Sequence, residues 1–156
     1  MQIKSLTIHN FKSIRRMYIP DIENALILVG QNNTGKTTVL DAIRAVGGAY
    51  AIRPEDFNEE GANIEIAVSI EYTEDDLMQM QKAGLVSSYH RFEAWKEDFC
   101  KKLPSYQDGL LQFTYTANRK GKIRYQDGYA KHNSHIPEIF PRIYNLDAER
   151  NLGQLE

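Results

Sequence analysis

Alternating apolar and polar residues predict strands in three parts of the chain. Residues 64–72 alternate most regularly, so we predict a strand with one face on the core and one in solvent, as in antiparallel sheets. Residues 111–117 alternate in the same way, and a turn at 118–121 leads to a hairpin partner at 122–125. Residues 2–9 and 16–19 predict a further antiparallel pair.

Apolar residues at helical spacing predict three helices. Residues 36–46 form the first, with Gly47-Gly48 as its C-cap. Thr73 and Asp76 have the spacing of a capping box, which predicts a short helix ending near Gly84. A helix over residues 88–102 has a stripe of large apolar residues, whose spacing favours core packing over stacking with nucleic-acid bases: Phe92, Trp95, Phe99 and Leu103.

The remaining segments complete an α/β pattern. Residues 25–29 are a continuous apolar run, typical of a strand buried on both faces. Residues 53–61 read as a solvated polar connection, and residues 142–147 as a final strand.

A glycine-rich stretch between the apolar run and the first helix matches G-x-x-x-x-G-K-[ST], the phosphate-binding P-loop pattern. Backbone N–H groups of such a loop turn inward around a phosphate, and the following helix adds the positive end of its dipole. We predict that Lys36 reaches the β- and γ-phosphates and that the Thr37 hydroxyl binds Mg²⁺. The predicted nucleotide-binding residues are Gly30, Gln31, Asn32, Asn33, Thr34, Gly35, Lys36, Thr37 and Thr38.

The order of motifs resembles that of ABC-type ATPase heads of DNA maintenance and defence, which include RecF, the SMC family and the OLD (overcoming lysogenization defect) nucleases. Three motifs carry the resemblance: Asn10-Phe11-Lys12-Ser13 between two strands, the P-loop, and Leu40-Asp41-Ala42-Ile43. It covers residues 1–48 closely and the remainder loosely, and the Asn32-Asn33 pair is most similar to the OLD- and RecF-type branch. It implies a P-loop NTPase fold: the N-terminal lobe of an ABC ATPase, with a mixed or antiparallel sheet and flanking helices.

The resemblance also implies partners. In that family the basic residue after the N-terminal phenylalanine lies near the bound phosphates, which maps onto Lys12; a solvated turn lysine is the alternative. ATP with Mg²⁺ is the implied cofactor, because the sequence lacks the base-reading motif of GTPases. In the full-length protein, two heads would close on ATP as a homodimer, and DNA would be a further partner.

Hydrolysis requires an acidic residue at a strand end and a carboxylate that activates water. The family has four apolar residues followed by Asp-Glu, whereas residues 143–149 have Asn145 within the run and Ala148 between the acids. Asp147 and Glu149 are therefore the candidate catalytic residues, and a plain strand exit is the alternative. The sequence also lacks the family's Ser-Gly-Gly-type signature and a TOPRIM nuclease carboxylate set.

We therefore expect one nucleotide-binding domain over residues 1–156, with a P-loop core (1–50) and a β/α elaboration (51–156). It would be the N-terminal lobe of a larger ATPase, with or without a downstream nuclease domain, and would not hydrolyse ATP by itself. A non-catalytic nucleotide- or anion-binding regulatory module stays open as an alternative. So does a small P-loop kinase, which would need an arginine-rich lid.

Composition and charge bear on the partners and the cellular location of the protein. The net charge of −2 gives no overall nucleic-acid footprint, so DNA contact would come from a local patch. The most concentrated basic cluster lies at the predicted hairpin, with a solvated tip as the alternative: Arg119, Lys120, Lys122 and Arg124. One cysteine, no apolar stretch of about 20 residues and no signal peptide predict a cytoplasmic protein without membrane association. His132, His135 and nearby Asp127 would need further ligands to bind a metal, which we do not expect.

Overall fold

The computed structural model describes residues 1–22 and 33–140, with only the helical backbone described for residues 33, 34 and 36. The described part contains five strands, three helices, a short 3₁₀ turn and a further helical segment near its end. In chain order they are β1 (Gln2–Phe11), β2 (Ile14–Ile19), α1 (Asn33–Val46), the 3₁₀ turn (Pro54–Asp56), β3 (Ile64–Glu71), α2 (Glu74–Lys82), α3 (Phe92–Lys102), β4 (Leu110–Ala117) and β5 (Ile123–Gln126). Residues 135–140 are also helical. The predicted strands at residues 25–29 and 142–147 lie outside the described residues.

The five strands form one sheet in the order β2-β1-β3-β4-β5, and each neighbouring pair is antiparallel. The two predicted hairpins, β1–β2 and β4–β5, are confirmed. Strand β3 inserts between them and joins β1 to β4, so strands from both ends of the described chain share one sheet.

The sheet has one apolar and one polar face. Leu6 pairs with Val68 and Val68 with Phe113, so these buried side chains lie on the same face. On the opposite face Ser5 lies across from Ser69, and their hydroxyls are hydrogen-bonded at 2.6 Å. The predicted half-solvated strand at residues 64–72 is therefore confirmed.

Helix α1 packs against the apolar side of the sheet through the face that its sequence predicts, since these residues are all buried: Val39, Leu40, Ile43 and Val46. Gly48 has a positive φ of 82° and ends the helix. The Ala49 amide donates to the Arg44 carbonyl and the Gly48 amide to that of Ala45, which is a Schellman motif. The buried Tyr125 hydroxyl of β5 donates to the Val46 carbonyl, so the C-terminal end of α1 is bonded directly to the far edge of the sheet.

Helices α2 and α3 complete the apolar layer. Thr73 and Asp76 form the predicted capping box, with reciprocal bonds of 3.1 and 2.8 Å. In α3, Trp95 and Phe99 stack at 5.2 Å and are fully buried, which confirms core packing. Helix α3 begins at Phe92 rather than near the predicted residue 88.

The late start of α3 has a local cause. The Gln81 side-chain amide donates to the Tyr89 and His90 carbonyls, so that segment is bonded to α2 instead of forming a helical turn. None of the helices in residues 1–22 and 33–140 is long and apolar enough to cross a membrane.

Candidate functional site

The second half of the P-loop motif forms the start of α1. This helix begins at Asn33, three residues before the predicted start near Lys36. Gly35 is half-buried, Thr37 is exposed and Thr38 is buried. Both threonines make contacts within the chain. Gly30, Gln31 and Asn32 lie outside the described residues, as do the side chains of Asn33, Thr34 and Lys36.

The N-terminal end of α1 is suited to an anion. Residues 33–36 contain no acidic side chain, so nothing in that turn opposes the partial positive charge of the helix N-terminus. Because the other end of α1 is fixed by Val46 and Gly48, the sheet and the Schellman motif hold this helix in place. The arrangement can bind a phosphate through backbone N–H groups.

Lys12 lies next to α1. Its Nζ is 2.6 Å from Asp41 Oδ2, and Asp41 belongs to the Leu-Asp-Ala-Ile segment of that helix. The ammonium also lies over the Tyr50 ring, 5.0 Å from its centroid. Burial alone would lower the pKa of Lys12, but the hydrogen bond and charge of Asp41, aided by Tyr50, raise it above its usual value. The structure thus brings together two of the motifs on which the family resemblance rests.

A second cluster supports the Tyr50 ring. The Tyr50 hydroxyl donates to both Asp56 carboxylate oxygens, at 3.0 and 3.1 Å, and the Arg53 amide donates to Asp56 at 2.9 Å. Asp56 is only 1% exposed. The prediction of a solvated connection at residues 53–61 is therefore wrong for Asp56, because its partners satisfy the carboxylate inside the fold.

Asn10 attaches the Asn-Phe-Lys-Ser turn to the loop before β3. Its side-chain amide donates to the Ala62 and Glu59 carbonyls at 2.8 and 3.0 Å, and its Oδ1 accepts from the Glu59 amide at 2.6 Å. The sequence motif includes Asn10 but does not predict these contacts. Its partners lie 49 and 52 residues away in sequence, where no local pattern identifies them.

The basic hairpin lies at the polar side of the sheet. Asn118 Oδ1 accepts from the Lys120 and Lys122 amides and shapes the turn. Arg119 packs over the Phe57 ring at 5.3 Å. Lys122 and Arg124 instead line an open depression of about 450 Å³, together with Lys131. All four basic side chains of the cluster are exposed, although Arg119 also contacts a ring.

The histidines have partners of their own. His132 Nδ1 accepts from the Tyr125 amide at 3.0 Å, and His135 Nδ1 lies 3.1 Å from Glu138. Asp127 is buried and accepts from the Asn133 amide and the Ser105 backbone. Within residues 1–22 and 33–140, no group of three or more His, Cys, Asp or Glu side chains could hold a metal ion. Asp147 and Glu149 lie outside the described residues.

The sequence of this chain matches one known protein family. The sequence profile described as the AAA ATPase domain matches residues 1–147. The chain belongs to the AAA ATPase domain family. Membership implies nucleotide binding, usually with Mg²⁺. No curated protein matches the sequence.

Two solved structures of SMC heads are similar to this chain. An SMC head bound to the C-winged helix domain of ScpA has a TM-score of 0.50 at 14% identity, over 95% of this chain and 41% of that one. An Smc head with an extended coiled coil, bound to the C-terminal domain of ScpA and derived from Pyrococcus furiosus, has a TM-score of 0.48 at 15% identity, over 94% and 32%. The chain thus spans less than half the length of either structure.

The first SMC head shares its fold with this chain, a mixed α/β arrangement with an antiparallel sheet and flanking helices. The family match therefore confirms an ATPase domain, and the fold shared with the SMC head agrees with the resemblance to ABC-type ATPase heads.

Proposed function

We propose that this chain is the ATP-binding N-terminal lobe of an ABC-type ATPase of the OLD- or RecF-like kind, forming one nucleotide-binding domain over residues 1–156. The observation that carries the proposal is the Gly-Lys-Thr-Thr sequence in the first turns of α1, a helix whose apolar face is buried and whose far end is fixed. Family membership supports the same conclusion.

The roles of the site residues follow from their chemistry. Lys36 supplies a point charge to the β- and γ-phosphates, and the Thr37 hydroxyl binds Mg²⁺. The remaining P-loop residues supply backbone N–H groups, and Lys12 supplies a second cation from the neighbouring turn. ATP and Mg²⁺ would therefore occupy the N-terminal end of α1.

The test is the melting temperature with and without ATP and Mg²⁺. A ligand at about ten times its Kd adds roughly 1.4 kcal/mol to the free energy of unfolding, which raises the Tm of a chain of this size by about 3–5 °C. Lys36→Ala should abolish the rise, whereas Lys96→Ala, a surface lysine paired with Glu74, should keep it. No shift for the unsubstituted chain at millimolar nucleotide would refute the proposal.

Magnesium gives a second, separate readout. Thr37→Val removes the hydroxyl but keeps the side-chain volume, so we expect it to reduce the part of the Tm shift that depends on Mg²⁺. The shift with ATP in a chelator should change little. Equal loss in both conditions would assign Thr37 to the fold instead of to the metal.

We further propose that this lobe binds ATP and that hydrolysis requires a second lobe. We expect negligible ATP turnover by the isolated chain and a homodimer of heads in the full-length protein, located in the cytoplasm. Sedimentation of the full-length protein with ATP and Mg²⁺ should show a dimer that Lys36→Ala prevents. Substantial turnover by residues 1–156 alone would contradict this part of the proposal.

Coupling to DNA maintenance or defence is supported by the family resemblance and by the exposed cations on the polar side of the sheet, Lys122, Arg124 and Lys131. The double variant K122E/R124E should weaken binding of a DNA duplex and lower the slope of log K against log salt by about 2. K96E/K101E, which changes the charge of α3 equally, should leave the slope unchanged. Equal effects of both variants would indicate a response to net charge only.

The two alternative functions predict different outcomes. A non-catalytic nucleotide- or anion-binding module would show the ATP-dependent Tm shift without dimerisation or turnover in the full-length protein. A small kinase would need a mobile arginine-rich lid. Arg119 instead packs on Phe57 in a turn between two paired strands, so that hairpin does not support a kinase.

A further inference from the structure

The backbone of Lys12 adopts an uncommon conformation that hydrogen bonds hold in place. Its φ of 54° lies in the left-handed region, which is unfavourable for a residue with a Cβ. The Lys12 amide donates to the Asp56 carbonyl at 2.6 Å, and the Asn58 side chain donates to the Lys12 carbonyl at 2.9 Å. The direction in which the Lys12 side chain leaves the turn is therefore fixed by a distant loop.

The ammonium at the end of that side chain is also fixed. Asp41 Oδ2 accepts from it at 2.6 Å, and the Phe11 and Tyr50 rings lie 5.4 and 5.0 Å away. The Lys12 side chain nevertheless remains 24% exposed. Since an ammonium has three N–H donors, Lys12 can donate to a further anion while it keeps its hydrogen bond to Asp41.

Asp41 determines where this cation lies relative to the P-loop. It follows Thr37 by four residues on α1, so the two side chains share a helix face, with Cβ atoms about 5–6 Å apart. Lys12 is thus held about one helical turn from the proposed Mg²⁺ ligand. Asp41 also receives Arg44 at 3.4 Å and keeps a cationic partner if Lys12 shifts.

We propose that Asp41 and Tyr50 are positioning residues, which hold the Lys12 ammonium beside the first turns of α1 so that it donates to a nucleotide phosphate. The inference rests on the proposed function, because it requires ATP at the P-loop. Tyr50 is itself oriented by its hydroxyl bonds to the buried Asp56 carboxylate. The support for Lys12 therefore extends from α1 to the 3₁₀ turn.

Whether a substitution of Asp41 strengthens or weakens ATP binding distinguishes a positioning role from a general electrostatic effect. Removing the negative charge of Asp41 would strengthen binding of an anion nearby if only the local potential mattered. If Asp41 positions Lys12, the same substitution weakens binding, because the ammonium is no longer held in place. Asp41→Asn is therefore the informative variant.

The experiment measures the affinity for ATP with Mg²⁺ by calorimetry for Lys12→Met, Asp41→Asn and the double variant. A lost charged hydrogen bond predicts an affinity about 10-fold weaker for Lys12→Met, and we expect a loss of about 5-fold for Asp41→Asn. The double variant should bind no more weakly than Lys12→Met alone, since Asp41 acts only through Lys12. Lys12→Arg, which keeps the cation, should recover part of the loss.

The chain supplies a matched control pair. Lys96 and Glu74 are 2.7 Å apart and join α3 to α2, so Lys96→Met and Glu74→Gln test the loss of a similar ion pair elsewhere. Neither should change ATP affinity by more than about twofold. If Asp41→Asn does not fold, Tyr50→Leu replaces it in the same cycle, because it removes the ring under Lys12.

Two results would overturn the inference. Asp41→Asn could bind ATP as tightly as the unsubstituted chain or more tightly. Alternatively, it could weaken binding by the same factor whether or not Lys12 is present. Failure of the proposed function looks different: the unsubstituted chain would then bind no ATP, or Lys36→Ala would bind it equally well.

Discussion

Two residues that are not glycine, Asn10 and Lys12, have positive φ values of 62° and 54° around one turn. Conformations of this kind persist only where surrounding contacts over-determine them, and they are concentrated at functional sites. Here the contacts come from residues 56–63, which form hydrogen bonds with both backbones and with the Asn10 side chain. At the scale of single residues, the strained backbone of this turn directs the Lys12 side chain towards α1.

Asn10 provides a direct measure of that strain. Asn10→Ala should lower the free energy of unfolding by about 3 kcal/mol. It removes several buried hydrogen bonds, and alanine at this positive φ has no side-chain hydrogen bonds to offset the strain. Asn10→Gly loses the same bonds but adopts the conformation freely, so we expect a loss of about 2 kcal/mol. Urea unfolding measures both, and equal losses would show that the positive φ costs nothing here.

Glu138 predicts a pH dependence. It is partly buried, which opposes ionisation, but the Val86 amide at 2.7 Å and His135 stabilise the carboxylate and hold its pKa below the usual value of 4.5. A lowered folded-state pKa adds stability above the unfolded-state pKa, and that stability is lost as the pH falls through the folded-state value. The stability advantage over Glu138→Gln, up to about 1 kcal/mol at neutral pH, should therefore decrease as the pH falls below about 4.5. An advantage that stays constant with pH would exclude this role.

At the scale of elements, the sequence predicts those helices and strands whose position is determined by neighbouring residues in the chain. The alternation at residues 64–72, the Thr73 capping box and the glycine after α1 each specify structure within a few residues, and the fold has all three. The same holds for the buried faces of α1 and α3, because helical spacing fixes which residues share a face.

What the sequence does not predict depends on contacts between distant segments. The contact of Lys12 with Asp41 spans 29 residues, and that of Asn10 with Ala62 spans 52. The insertion of β3 between β1 and β4 is likewise set by pairing across the whole chain. The nucleotide-binding roles of all the P-loop residues stay predictions. So do the catalytic roles of Asp147 and Glu149, which lie outside the described part, as do Gly30, Gln31 and Asn32.

The aromatic face of α3 yields a prediction at this scale. Phe99 is fully buried between Trp95 and Tyr106, whereas Phe92 at the helix start is only half-buried. Phe99→Ala should lower the free energy of unfolding by about 3–5 kcal/mol, and Phe92→Ala by about 1 kcal/mol. Thermal or urea unfolding of the two variants provides the comparison. Similar losses would mean that the buried stripe does not extend along α3 as the structure indicates.

At the scale of the whole molecule, one hydrophobic core connects α1 with the sheet and with α2 and α3. Trp95 lies on α3, and Ile43 lies on α1, but both belong to this cluster. A change in α1 therefore acts on a core shared by all five strands and by α2 and α3. This continuity is why ATP binding should stabilise the domain as a unit instead of a single loop.

The shared core predicts one cooperative unfolding transition, which tests the single-domain proposal. Trp95 is the only tryptophan and reports on α3, whereas far-UV circular dichroism reports on all helices and strands. Since α3 and the sheet bury their apolar faces against each other, the urea midpoints from the two probes should coincide. ATP with Mg²⁺ should shift both midpoints equally, and in Lys36→Ala neither should move. Separate midpoints, or a shift seen by circular dichroism but not by Trp95, would divide the chain into a nucleotide-binding part and an independent β/α part.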